Sequence, residues 1–146
     1  MNFKYLLLLT SLASVLAATT GYSQTLINPN DKNLNYSIQE QVQSSTISIS
    51  AATLAQPHIL TVSISKGDME GVIELNGKVL HYITDRDTRI DLSPHLLRGR
   101  NKLKIWGNYN SKNALVQVEL AAPQTQVTQQ TSNNGRLNQI IILEVR

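Results

Sequence analysis

The sequence predicts an all-β domain, a two-sheet antiparallel sandwich of jelly-roll type with about eight strands. Three observations lead there. Apolar residues alternate with polar ones in run after run, the mark of strands with one face buried. Turn-forming clusters separate the runs at Lys66-Gly67-Asp68, Asn76-Gly77, Ser93-Pro94, Gly107-Asn108 and Ser132-Asn133-Asn134-Gly135. Helical periodicity is nearly absent.

The elements follow in order. Thr46-Ile47-Ser48-Ile49-Ser50 alternates cleanly. In Leu60-Thr61-Val62-Ser63-Ile64-Ser65, the residues Leu60, Val62 and Ile64 point to one side. Val72-Ile73-Glu74-Leu75 then meets Lys78-Val79-Leu80 across Asn76-Gly77. Asn-Gly tolerates the positive φ that a type I′ turn needs at both central residues. A two-residue loop pairs Leu75 with Lys78 and Ile73 with Leu80, which puts Ile73, Leu75, Leu80 and Tyr82 on a shared core face. A type I turn with a glycine bulge is the alternative, and it flips the faces of the second strand.

Ser93 to Arg98 holds the chain's one helical turn, with Ser93 as cap, Pro94 at the first helical position and Gly99 just past the end. Leu103-Lys104-Ile105 and Val116-Gln117-Val118-Glu119-Leu120 alternate again. Pro123 to Asn134, rich in Gln, Thr and Asn, reads as a loop or a polar edge strand. The last run, Ile140-Ile141-Ile142-Leu143-Glu144-Val145, is continuously apolar at its start. It fits a strand buried on both faces or one covered by a loop.

The N-terminus is set apart from this pattern. Lys4 precedes the apolar run from Leu6 to Ala18, the form of a secretory signal peptide. The run is shorter than the roughly 20 residues of a membrane span. Small residues in Gly21-Tyr22-Ser23 place cleavage before Gln24, with Val15-Leu16-Ala17 as the competing site. The expected organisation is a signal peptide over 1–23, an extended polar lead-in over 24–35 and a sandwich domain over 36–146. The expected location is periplasmic or extracellular, and no transmembrane span is expected in the mature chain.

Export permits disulfides, yet the chain has no cysteine. The fold must stand on its apolar core, and thiol catalysis, zinc–thiolate sites and iron–sulfur clusters are excluded. The formal charge is +3. Lys and Arg are scattered rather than gathered on one face, which argues against a nucleic-acid partner. The densest group, Arg98 to Lys104, reads as a solvated sheet edge, where charge discourages aggregation.

The segment from Ile59 to Leu120 resembles the galactose-binding-like jelly-roll domains that accompany many glycoside hydrolases. The likeness rests on Ile73-Glu74-Leu75-Asn76-Gly77-Lys78, then Asp91-Leu92-Ser93 with Leu96 or Leu97, Gly99 and Asn101, then Leu103-Lys104-Ile105. These match a "V-x-V-N-G-K" hairpin, a "D-I/L-S/T-x-x-L-x-x-G-x-N" turn and a following strand. The resemblance implies a sandwich that binds rather than catalyses; the matched residues specify architecture and not a ligand.

Trp106 is the only tryptophan. If Leu103 and Ile105 face inward, it faces outward with Lys102 and Lys104. An outward indole beside Asn108, Tyr109 and Asn110 is suited to stacking on a sugar ring, so Trp106, Asn108, Tyr109 and Asn110 form the candidate ligand site. Gly107 as the seat of a bulge, or a loop over the ring, is the bland reading. Asp85, Asp87 and Asp91 lie close in sequence but are interleaved with Arg86 and Arg89, which favours surface ion pairs over calcium. His58, His81 and His95 lack paired spacing, so no metal and no cofactor is expected. Serines lack the Gly-x-Ser-x-Gly elbow. Glu74 and Glu119 sit on polar strand faces rather than around a cleft, and no catalytic residue is assigned.

The functional expectation is an exported, non-catalytic binding or accessory module. Its expected partner is a glycan or a cell-envelope protein, with carbohydrate the first ligand class to test. The alternative is a structural or assembly protein of the envelope, in which Pro123 to Asn134 and the C-terminal strand Ile140 to Val145 pair with partner strands by edge addition.

Overall fold

The computed structural model of the protein describes residues 42–132 and 135–146. The expected signal peptide and lead-in lie outside them, as do the first residues assigned to the sandwich. Nine strands follow one another among the described residues: β1 (Gln43–Ile49), β2 (Ile59–Ile64), β3 (Met69–Leu75), β4 (Lys78–Ile83), β5 (Asp87–Asp91), β6 (Gly99–Tyr109), β7 (Val116–Ala122), β8 (Thr125–Thr131) and β9 (Arg136–Val145). They form a five-stranded sheet in the order β1-β9-β6-β3-β4 and a four-stranded sheet in the order β5-β2-β7-β8. The all-β two-sheet architecture is the one the alternation predicts. One pair departs from the antiparallel rule: β1 runs parallel to β9.

Alternation decides what the sheets enclose. Ile47 and Ile49 of β1, Leu60, Val62 and Ile64 of β2, Ile73 and Leu75 of β3, and Leu103 and Ile105 of β6 all turn inward. Val116, Val118 and Leu120 of β7 and Leu137, Ile141, Leu143 and Val145 of β9 complete the layer. Each fully buried aliphatic side chain contributes about 1.5–3 kcal/mol, which is how a chain without disulfides holds together.

The hairpin at Asn76-Gly77 takes the type I′ form, with φ of 52° and 81° at the two residues. Leu75 pairs with Lys78 as expected. One step further the register slips. Glu74 pairs with Val79, but Ile73 pairs with His81 and not with Leu80. Leu80 is therefore the extra residue of a β-bulge. Beyond it the faces of β4 are exchanged: Ile83 is buried in the core and Tyr82 is 65% exposed. The expected core position of Tyr82 is thus corrected: the turn is the two-residue one, yet a bulge inside β4, rather than a glycine bulge at the turn, exchanges the strand's faces as the alternative register does.

Two further expectations change. Arg100, Lys102 and Lys104 do not mark a sheet edge, since β6 lies between β9 and β3 in the middle of its sheet; they occupy the outward positions of a central strand. The C-terminal run is not free to pair with a partner either. β9 is held between β1 and β6, and its Ile142, flanked by Thr46 and Lys102, is buried on the outer face. That two-sided burial accounts for its continuous apolar run.

The turn before β6 is built differently from the helical cap expected there. Ser93–His95 forms a single 3-10 turn with Leu92, not Ser93, at the N-cap position. Asp91 Oδ1 accepts from the Ser93 N–H at 2.9 Å and contacts Ser93 Oγ at 2.6 Å. At the far end Asn101 is fully buried. Its Oδ1 accepts from the Leu97 N–H at 3.0 Å and from Asn76 Nδ2 at 3.0 Å, while its Nδ2 donates to the Leu97 carbonyl at 2.6 Å. Asn76 Oδ1 in turn accepts from the Lys102 N–H at 2.8 Å. The two asparagines therefore lock the hairpin tip to the start of β6.

Candidate functional site

The outer face of the five-stranded sheet carries the candidate site. Registers place Tyr82 opposite Val72, Val72 opposite Trp106, and Trp106 opposite Asn138. These residues stand outward at one level across β4, β3, β6 and β9. With neighbouring strands about 4.8 Å apart, the Cα atoms of Tyr82 and Trp106 are about 10 Å from each other. Trp106 is 39% exposed and Val72, between the two rings, is buried. The result is an aromatic–aliphatic stripe with two accessible rings.

Polar residues flank it on both sides. One neighbouring level runs Glu70, Asn108, Arg136 across β3, β6 and β9. The other runs Glu74, Lys104, Ile140. Lys104 Nζ lies 5.7 Å from the centre of the Trp106 ring, within reach of the ring's negative face.

Beneath the stripe, β3 and β6 approach closely at a cross-strand glycine pair, Gly71 and Gly107. Both positions face inward. A Cβ on Gly107 would stand 2.4 Å from the Glu70 carbonyl oxygen, and one on Gly71 would stand 2.6 Å from that of Trp106. Gly107 therefore seats no bulge; the register runs unbroken through it, and it brings the strands bearing Val72 and Trp106 together.

Of the four residues expected at the site, the structure brings two to this face. Trp106 and Asn108 occupy outward positions on β6. Tyr109 alternates inward, is 7% exposed and packs in the core; strand pleating separates it from its neighbours in sequence. Asn110 closes a loop, its Oδ1 accepting from the Asp68 N–H at 3.0 Å. Tyr82 and Val72, absent from the sequence-based set, complete the stripe. Only the bulge at Leu80 aligns Tyr82 with Trp106, and no turn residue in the sequence announces it.

The other candidate chemistries resolve into supports. His58, Ser93 and Asp91 do meet. Ser93 Oγ lies 3.3 Å from His58 Nδ1, 2.6 Å from Asp91 Oδ1 and 2.7 Å from the Gln56 carbonyl oxygen. In an acyl-transfer triad the imidazole stands between hydroxyl and carboxylate; here the hydroxyl is in the middle. His58 Nδ1 donates to the Gln56 carbonyl at 2.8 Å, and the ring is fully buried. The cluster clasps the loop before β2 to the turn after β5. The hydroxyl of Ser93, helped by its backbone N–H and that of His58, holds the Asp91 carboxyl below the usual aspartate range.

Glu74 and Glu119 stand on opposite outer faces and cannot flank one glycosidic bond; Glu119 accepts from Gln126 Nε2 at 3.0 Å. Among the described residues no three His, Asp or Glu side chains converge as a metal site would require. Among them, too, no helix is long and apolar enough to cross a membrane. No family model matches the chain, and neither the curated proteins nor the solved structures hold a match to it.

Proposed function

We propose that the protein is an exported, non-catalytic binding module that takes up carbohydrate on the outer face of its five-stranded sheet. The observation that carries this reading is the row Tyr82–Val72–Trp106, with two accessible rings on the solvent side of a sheet. An aromatic ring offers a flat apolar face that suits the C–H face of a sugar. The flanking Glu70, Asn108, Glu74 and Lys104 bring donors and acceptors to the level of the hydroxyls around a stacked ring. Ligand sites in general join an apolar surface to a few placed polar groups.

Because Trp106 is the sole tryptophan, its fluorescence reports on this face alone. Titration with a panel of oligosaccharides should shift the emission for at least one glycan class. Trp106→Ala, which removes the fluorophore and is therefore read by calorimetric titration, and Tyr82→Ala should each weaken that binding tenfold or more, about 1.4 kcal/mol. An unchanged spectrum across the panel overturns the carbohydrate reading. The second reading, a role in envelope assembly, is favoured by one observation: the uncharged edge strand β8.

A further inference from the structure

We infer that β8 is a homotypic pairing edge, through which two copies of this chain join their four-stranded sheets into one. The inference concerns a different surface from the carbohydrate stripe and does not depend on it; it gives the assembly reading a partner.

The argument starts from how sheets protect their ends. An edge strand presents unpaired N–H and C=O groups, and proteins blunt such edges with charge, proline, bulges or shortness. The four-stranded sheet treats its two edges differently. β5 carries Asp87, Arg89 and Asp91 in five residues. β8, Thr125-Gln126-Val127-Thr128-Gln129-Gln130-Thr131, has seven residues with no charge and no proline. Its register against β7 runs from Val116–Thr131 to Ala122–Thr125 without a break. Within the strand itself, charge, proline, a bulge and shortness are all missing.

β1, the other uncharged edge strand, differs in one respect. Its inward Ile47 and Ile49 are already buried and only Gln43 and Ser45, at its start, are half-buried. Less therefore remains to be covered there, although Ser45 Oγ has no hydrogen-bond partner among the described residues. In β8 the inward residues Thr125, Val127, Gln129 and Thr131 are all only half-buried, and the buried Oε1 of Gln129 has no hydrogen-bond partner among the described residues. That row gains burial if the sheet is extended.

The sequence of β8 is complementary to itself. An antiparallel dyad at Thr128 sets Thr125 against Thr131, Gln126 against Gln130, and Val127 against Gln129 of the second copy. Each pair keeps inward residues inward and outward residues outward. No charge meets its like at the seam, which a symmetric contact requires because each patch meets itself. Gln130 and Gln126 already bond to Gln117 and Glu119 on β7 at 3.1 and 3.0 Å. Across the dyad the same amides meet one another, extending that side-chain ladder.

The test is sedimentation or light scattering of the purified protein between about 1 µM and about 1 mM, a range that covers interfaces of modest affinity. A concentration-dependent dimer is expected. Thr128→Lys sets two like charges against each other at the dyad and should yield a monomer with unchanged circular dichroism and melting. Ser44→Lys, on β1, should leave the dimer intact. Hydrogen exchange of the unmodified protein gives an independent readout, with amides of β8 slowing as concentration rises. A monomer throughout the range, a dimer indifferent to Thr128→Lys, a dimer dissolved by Ser44→Lys, or β8 amides indifferent to concentration overturns the inference.

Discussion

The two outer faces of the sandwich are built from the same pleated geometry and differ in almost every residue. On the four-stranded sheet the outward positions include Asp87, Arg89 and Asp91 of β5, Thr61 and Ser63 of β2, Gln117 and Glu119 of β7, and Gln126, Thr128 and Gln130 of β8. Apart from the paired Ile59 and Ala121 at one end they are polar, and several bond to one another across strands. On the five-stranded sheet the outward positions include Tyr82, Val72, Trp106, Ile140 and Ile142. Both inner faces are mainly apolar because both cover one core. An outward polar row fulfils the solvation rule for an antiparallel sheet. An outward stripe of rings and aliphatics breaks it, and breaks of that kind mark surfaces that meet something other than water. That difference is what supports the proposed binding surface on the five-stranded sheet.

The severest way to break that difference is from below. Gly107→Ala forces a methyl against the Glu70 carbonyl, where backbone rather than a mobile side chain must yield. We expect a loss of about 1–3 kcal/mol or more, read as a fall in melting temperature. Glycan-dependent fluorescence should fall with it, because Val72 and Trp106 are forced apart. Thr61→Ala, on the polar face, should change stability by no more than about 0.5 kcal/mol.

A subtler operation tests the bulge. Removing one residue from a strand normally sends every later side chain to the opposite face. Deletion of Leu80 should not. It leaves Ile73 opposite His81 and Val72 opposite Tyr82, as now. The expected cost is about 1 kcal/mol for the half-buried leucine, with the fluorescence response retained. Loss of that response while the fold persists refutes the assigned register.

The faces separate again in binding. Trp106→Ala should weaken glycan affinity tenfold or more while Gln117→Ala leaves it unaltered, both checked by calorimetric titration. Equal effects from the two faces would remove the distinction.

The smallest effect belongs to Asp91 at the edge of the polar sheet. Its carboxyl is held below the ordinary range, so the folded state binds that proton more weakly than the unfolded chain. Stability from this group is present above about pH 3.9 and is lost as pH falls through the lower folded value. Asp91→Asn should flatten the acid limb of a melting-temperature profile below about pH 4 and alter binding on the other face not at all.

Much of the fold was legible in the chain. Alternation in Leu60 to Ser65, Leu103 to Ile105 and Val116 to Leu120 identified strands and their inward faces, because a period of two leaves one choice when a single face is buried. Asn76-Gly77 identified the hairpin and its turn type, because few residue pairs accept positive φ twice. The outward direction of Trp106 followed from Leu103 and Ile105 by the same parity. The site was legible only in part: Trp106 and Asn108 lie on its face, Tyr109 is in the core and Asn110 holds a loop.

What the sequence determined by itself was therefore local: which residues extend, where they turn, and which side of each strand is apolar. Only the tertiary structure decided which strands become neighbours. That choice made β6 central and β8 an edge, buried both faces of β9 at Ile142, and set Gly71 against Gly107. It also placed the bulge that carries Tyr82 into line with Trp106. Pairing joins residues distant in sequence, and its free energy comes from packing between them. No pattern within a single strand encodes it.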